Sequence, residues 1–117
     1  MVRVPTHRAP THPGEMLREE FLKPLELTQT ELAERLGAWY PRVNELVHGK
    51  RSMTPDTALR LERYLGVAAQ FWLNLQLAWD IYHASHSAAA RQIAKIKPLK
   101  TDAAGPPAST KRRVAAA

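Results

Sequence analysis

Cysteine is absent from the 117-residue chain, which excludes a disulfide framework and any thiolate metal site and fits a reducing compartment. There is no apolar run of the roughly 18 residues a membrane helix needs, and no apolar stretch follows the basic Arg3 and Arg8 as a secretory leader requires. A soluble, cytoplasmic protein without membrane contact is therefore expected. Glycine is scarce, at five residues, and none of them builds a phosphate-cradling loop. No nucleophile stands with a partner base, and the adjacent Glu19 and Glu20 would point about 100° apart on a helix, unlike a working carboxylate pair. Neither an enzymatic role nor a cofactor is expected. Alternating apolar and polar residues, the mark of a half-buried strand, are also missing, so the expectation is an all-α fold of a single domain.

What is present is charge, unevenly placed. The formal +6 sits mostly at the ends: residues 13–90 hold 8 Lys/Arg against 10 Asp/Glu, whereas residues 91–117 hold 7 against 1. The folded body is not basic overall. Within it, residues 15–34 carry 6 acids and 2 bases, while residues 35–51 carry Arg35, Arg42, Lys50 and Arg51 against Glu45 alone.

Helical periodicity organises the middle of the chain. Residues 1–11 lack periodicity and are expected to form a flexible arm, residues 12–97 a helical domain, and residues 98–117 a basic disordered tail. Met16, Leu17, Phe21 and Leu22 stand at helical spacing, with Pro13 in a first-turn position and Pro24 expected to end the run. Thr28 and Glu31 form a capping box ahead of Leu32, Ala33 and Leu36, and this second helix should close at Gly37. Val43, Leu46 and Val47 mark a third helix stopping at Gly49; Pro41 is tolerated because a first-turn amide has no helical acceptor. Thr54 and Pro55 open a fourth, with Ala58, Leu61 and Leu65, closed by Gly66. A fifth runs from about Ala69 to Ala84 and is apolar on two faces. Phe71, Trp72, Leu75, Trp79 and Tyr82 make one, with Asn74 and Gln76 read as outer polar positions. Leu73, Leu77 and Ile81 make the other, expected to meet a second copy of the chain. A short basic helix is expected within residues 87–97.

Two of these helices, separated by a short turn, carry the functional signal. Such a pair packs closely only if the crossing residue is small and the turn can take an unusual backbone, demands met by Ala33 and Gly37, with Val43 as the buried anchor of the following helix. Placed in a major groove, that third helix would present Trp39, Tyr40, Arg42, Asn44 and Glu45 to base edges; Arg with guanine and Asn with adenine are favoured pairings. Gln29, at the start of the second helix, is positioned to hold a phosphate, and Lys50 and Arg51 flank the site as further phosphate contacts.

The stretches His12–Leu17, Leu27–Gln29 with Glu31–Ala33, Val43–Leu46 with Gly49–Arg51, Pro55–Leu61 and Phe71–Gln76 resemble a known family. It is the lambda-repressor-like (XRE) helix-turn-helix proteins, and within them the HigA/VapI group of antitoxins, in order and at the family's spacing over residues 12–80. The resemblance implies a five-helix domain with a C-terminal helical extension, working as a homodimeric antitoxin. Such a protein represses its own operon at a palindromic operator and neutralises a RelE-like (HigB-type) toxin that cleaves mRNA. The family's DNA-facing positions fall on Gln29, Tyr40, Arg42, Asn44 and Glu45. Trp39-Tyr40-Pro41 departs from the family, whose members carry small or polar residues there, so base preference does not transfer.

Two alternatives keep to the same fold: a DNA-binding transcriptional regulator without a toxin partner, and a protein-interaction module that has lost DNA. His83 and His86, three residues apart, lack a third ligand nearby, and no metal is assigned. His48 reads equally as a phosphate contact or an exposed helix-end residue. Lys111-Arg112-Arg113 could grip phosphates nonspecifically or serve as a solubilising tail.

Overall fold

The computed structural model describes residues 10–100. The expected arm before residue 10, and the tail beyond residue 100 with its Lys111-Arg112-Arg113 cluster, lie outside the described residues.

The first helix, α1, starts at Pro13, where the buried His12 serves as cap: its Nδ1 accepts a hydrogen bond from the Gly14 N–H at 2.9 Å. Pro24 does not end this helix as the sequence predicts. The chain is α-helical over Pro13–Leu17, π-helical over Arg18–Leu22 and α-helical again over Lys23–Leu25. A proline ring in a regular α-helix clashes with the carbonyl four residues back; in the widened π turn just upstream the Lys23 N–H bonds the Arg18 carbonyl, five residues back, which makes room for the ring and lets the helix run on. It stops at Glu26, which takes the left-handed conformation (φ 53°).

α2 (Gln29–Leu36) opens on the predicted capping box. Thr28 Oγ1 accepts from the Glu31 N–H at 3.0 Å, and Glu31 Oε1 accepts from the Thr28 N–H at 2.9 Å. The second of these bonds is the main reason the Glu31 carboxyl lies below its usual range. Left-handed Gly37 ends α2, and α3 (Tyr40–Val47) follows with Pro41 in its first turn. Thr54 caps α4 (Pro55–Leu65), which closes at left-handed Gly66. The last helix of this unit, α5, spans Ala69–Ser85.

One core joins all five helices. Leu17 and Leu22 from α1, Leu32, Ala33 and Leu36 from α2, Val43, Leu46 and Val47 from α3, Ala58 and Leu61 from α4 and Trp72 from α5 are all buried. Trp72 sits at the centre with no exposure, its ring 5.2 Å from Phe21 and 5.1 Å from Phe71. Gln76, read as an outer position, is buried instead. Its Oε1 accepts the Met53 N–H at 2.7 Å and its Nε2 donates to Asp80 at 2.9 Å. Met53 lies in the loop before α4, whose backbone has no helical partner at that point, and a buried side-chain amide satisfies it. Leu73 is half-buried against the core rather than free, whereas Leu77 and Ile81 on the same side of α5 remain exposed. Residues 88–100 belong to a second unit; among these described residues is one short helix, α6 (Ala90–Ala94), briefer than the predicted span. Among the described residues there is no strand, no helix long and apolar enough to cross a membrane, and no group of three metal-ligating side chains.

His12 makes stability depend on pH. Burial pushes its imidazole below the ordinary 6.5 and outweighs Asp80 and Glu15, which pull the other way. The cap itself also requires an unprotonated Nδ1. As pH falls below 6.5 the unfolded chain takes up the proton before the folded one does, so this contribution is complete above 6.5 and is lost as pH drops through the folded value. The melting temperature should therefore fall more between about pH 7.5 and about pH 5.5 for the natural chain than for His12→Asn, whose amide caps without titrating. Equal falls would remove His12 from the account.

Candidate nucleic-acid interface

α2 and α3 pack on one another where the small Ala33 and the anchor Val43 are both buried, 4% and 2% exposed, as their spacing predicts. Left-handed Gly37 (φ 65°) turns the chain between them. Two arginines from outside the pair hold its helix ends. Arg60 Nη1 on α4 donates to the Leu36 carbonyl at 2.8 Å, and Arg18 Nη1 on α1 donates to the Val47 carbonyl at 2.8 Å. Each satisfies a last-turn carbonyl that a helix leaves without an internal partner and places positive charge at the negative end of the helix dipole. Neither role is visible in sequence, because the contacts span 24 and 29 residues.

The residues predicted to face DNA fall into two groups. Trp39 and Tyr40 project from the start of α3, 72% and 45% exposed. Arg42, Asn44 and Glu45, expected to be open, are half-buried and engaged. Arg42 Nη2 lies 3.2 Å from Asp56 Oδ2, on the first turn of α4. Arg60 Nε holds the same carboxylate oxygen at 2.9 Å, and that hydrogen bond is the main reason the Asp56 carboxyl sits below its usual range. Glu45 Oε1 pairs with Arg51 Nη2 at 2.8 Å. Asn44 Nδ2 donates to Gln29 Oε1 at 2.8 Å and to Tyr40 Oη at 3.5 Å.

The Asn44–Gln29 bond ties the start of α2 to the middle of α3. With its oxygen occupied, Gln29 keeps its Nε2–H donors for an outside acceptor, the role a phosphate contact requires. Lys50 is exposed beyond the end of α3, while Arg51 is divided between Glu45 and solvent. The pairs of Arg42 and Arg51 are partly exposed, of the kind that contributes little to stability, so phosphate can displace the carboxylates at small cost. His48 Nδ1 lies 2.7 Å from the Asn44 carbonyl, within its own helix end. His83 meets the Tyr82 ring edge-on at 5.2 Å, and His86 stacks on the same ring at 4.2 Å. The surface formed by Gln29, Trp39, Tyr40, Asn44 and Lys50 can thus offer amide and ammonium donors around an aromatic centre.

A profile of the helix-turn-helix family matches residues 19–72. Virulence-associated protein I of Dichelobacter nodosus is 50% identical over 92 residues, 79% of this chain and 83% of the relative. Antitoxin HigA-1 of Vibrio cholerae is 40% identical over 77 residues, 66% of this chain and 72% of its own length. In three dimensions the chain resembles Pseudomonas aeruginosa antitoxin HigA, solved with the higBA promoter. The TM-score is 0.73 at 41% identity, over 78% of this chain and 99% of that one.

Proposed function

This chain belongs to the XRE family of helix-turn-helix proteins, beside the HigA-type antitoxins, and from that premise we propose that it is the antitoxin of a two-gene toxin–antitoxin module. In this reading it is a cytoplasmic homodimer that binds palindromic operator DNA, represses its own operon and neutralises a small RelE-like toxin. The observation that carries the DNA-binding part is the exposed start of α3 at Trp39 and Tyr40, set beside the Gln29–Asn44 bond and the exposed Lys50. The match to an antitoxin solved with its promoter supports the same reading.

Mechanistically, Gln29, Lys50 and Arg51 position the domain on phosphates, and Trp39, Tyr40, Arg42, Asn44 and Glu45 lie over the bases. Because Arg42 starts on Asp56, its guanidinium reaches a base or phosphate only by exchanging partners. A dimer places two α3 helices on half-sites about 34 Å apart, or a multiple of that. Leu77 and Ile81, exposed on α5, are the side chains through which a second copy is joined, with Leu73 behind them.

A gel shift of the protein on the DNA immediately upstream of its own gene tests this, run with and without the product of the adjacent reading frame. A specific shift altered by that product is the expected result. A specific shift indifferent to it would leave a regulator without a toxin, and no shift at moderate salt would leave an interaction module.

A further inference from the structure

The polar side chains over the bases are engaged inside the protein. Asp56 holds Arg42 at 3.2 Å, Arg51 holds Glu45 at 2.8 Å and Gln29 holds Asn44 at 2.8 Å. Trp39 and Tyr40 stand next to them with 72% and 45% of their surface in water. Trp39 is the cap residue of α3, yet its side chain makes no capping bond, and its backbone is ordinary extended chain (φ −71°, ψ 131°). The indole therefore neither closes the helix nor fills the core. Large aromatic rings dominate the energetics of the interfaces that bury them.

The surroundings indicate what covers this pair. It lies at the N-terminal end of α3, where the helix dipole favours negative charge, and beside the free amide donors of Gln29. Those features suit a phosphate backbone. Between the phosphates, the one apolar group that a major-groove base edge presents is the C5-methyl of thymine.

Resting on the DNA-binding reading above, we propose that Trp39 and Tyr40 form a methyl-reading aromatic pair that selects thymine in each operator half-site. Specificity here would come chiefly from apolar contact, with Arg42 and Asn44 adding to it after they exchange partners. The half-site would then be defined by thymine near the N-terminal end of α3, in place of the guanine that a free arginine would favour.

The test uses the full chain and the duplex it enriches from a randomised library, compared with the same duplex carrying deoxyuridine in place of every thymine. Removing one buried methyl in each half-site should weaken binding about fourfold per half-site and about fifteenfold over the two. The double variant Trp39→Ala, Tyr40→Ala should bind both duplexes with equal, reduced affinity. Both positions are exposed, so its circular dichroism and melting should match those of the natural chain. Equal affinity of the natural chain for the two duplexes would overturn the proposal. So would a double variant that still distinguishes them. Enrichment of no duplex at all would instead defeat the DNA-binding reading itself, and the methyl contact with it.

Discussion

Gly14→Ala is expected to cost about 3 kcal/mol or more and to lower the melting temperature by roughly 15 °C or more. At Gly14, α1 crosses α3 so closely that an added methyl would overlap the Leu46 carbonyl oxygen and come 2.6 Å from the Leu46 carbonyl carbon. These are backbone atoms within a helix and cannot rotate aside as a flexible side chain could. Relief requires α1 to move bodily, which disturbs Leu17 in the core and the bond from the Gly14 N–H to His12. Because α1 also supplies Arg18 to the end of α3, the helix proposed to enter DNA would lose its brace in the same step. Thermal unfolding followed by circular dichroism decides the matter. A melting temperature within a few degrees of the natural chain would mean that the crossing relaxes and that glycine is not required there.

Leu77→Glu should have the opposite character: little effect on the fold and a large effect on assembly. Leu77 and Ile81 lie one helical turn apart on α5, 57% and 59% exposed, so a charge at Leu77 meets water in the monomer and disturbs no core contact. In a dimer joined through this face, two glutamates would be buried in an apolar interface, which is expensive for each of them. Sedimentation should show a monomer with an almost unchanged melting temperature. Operator affinity should drop about 10²- to 10⁴-fold, because the second half-site no longer binds as part of one particle. A variant that still sediments as a dimer would place the interface elsewhere.

The helix boundaries were legible wherever the signal was local. Thr28 with Glu31, Thr54 with Pro55, and the glycines at 37 and 66 act through hydrogen bonds and backbone angles within a few residues, and the structure has each of them in that role. Pro24 misled because its effect depends on the turn upstream, which widened to accommodate it. Gln76 misled because an amide at a helical position reads as outward-facing unless a backbone group elsewhere needs it, and Met53 supplies that need from 23 residues away. His12 gave little warning, since histidine is an uncommon helix cap and its pocket is formed jointly by α1, the end of α3 and Trp79 of α5.

The candidate site divides in the same way. Its candidate members were read from type and spacing, because Ala33, Gly37 and Val43 constrain how two short helices can meet. Their availability was not. Asp56 lies 14 residues from Arg42, Gln29 lies 15 from Asn44, and Arg60 and Arg18 reach the helix ends over longer spans still. The sequence by itself determined the all-helical architecture, the caps, the small-residue crossing and the family, since these rest on periodicity and short-range bonding. Only the tertiary structure decided which polar side chains are already engaged and that α1 meets the backbone of α3 at Gly14. It also showed that Trp39 and Tyr40 stand exposed beside those engaged side chains. Side-chain hydrogen bonds and helix crossings depend on distances between residues far apart in the chain, and no local pattern encodes them.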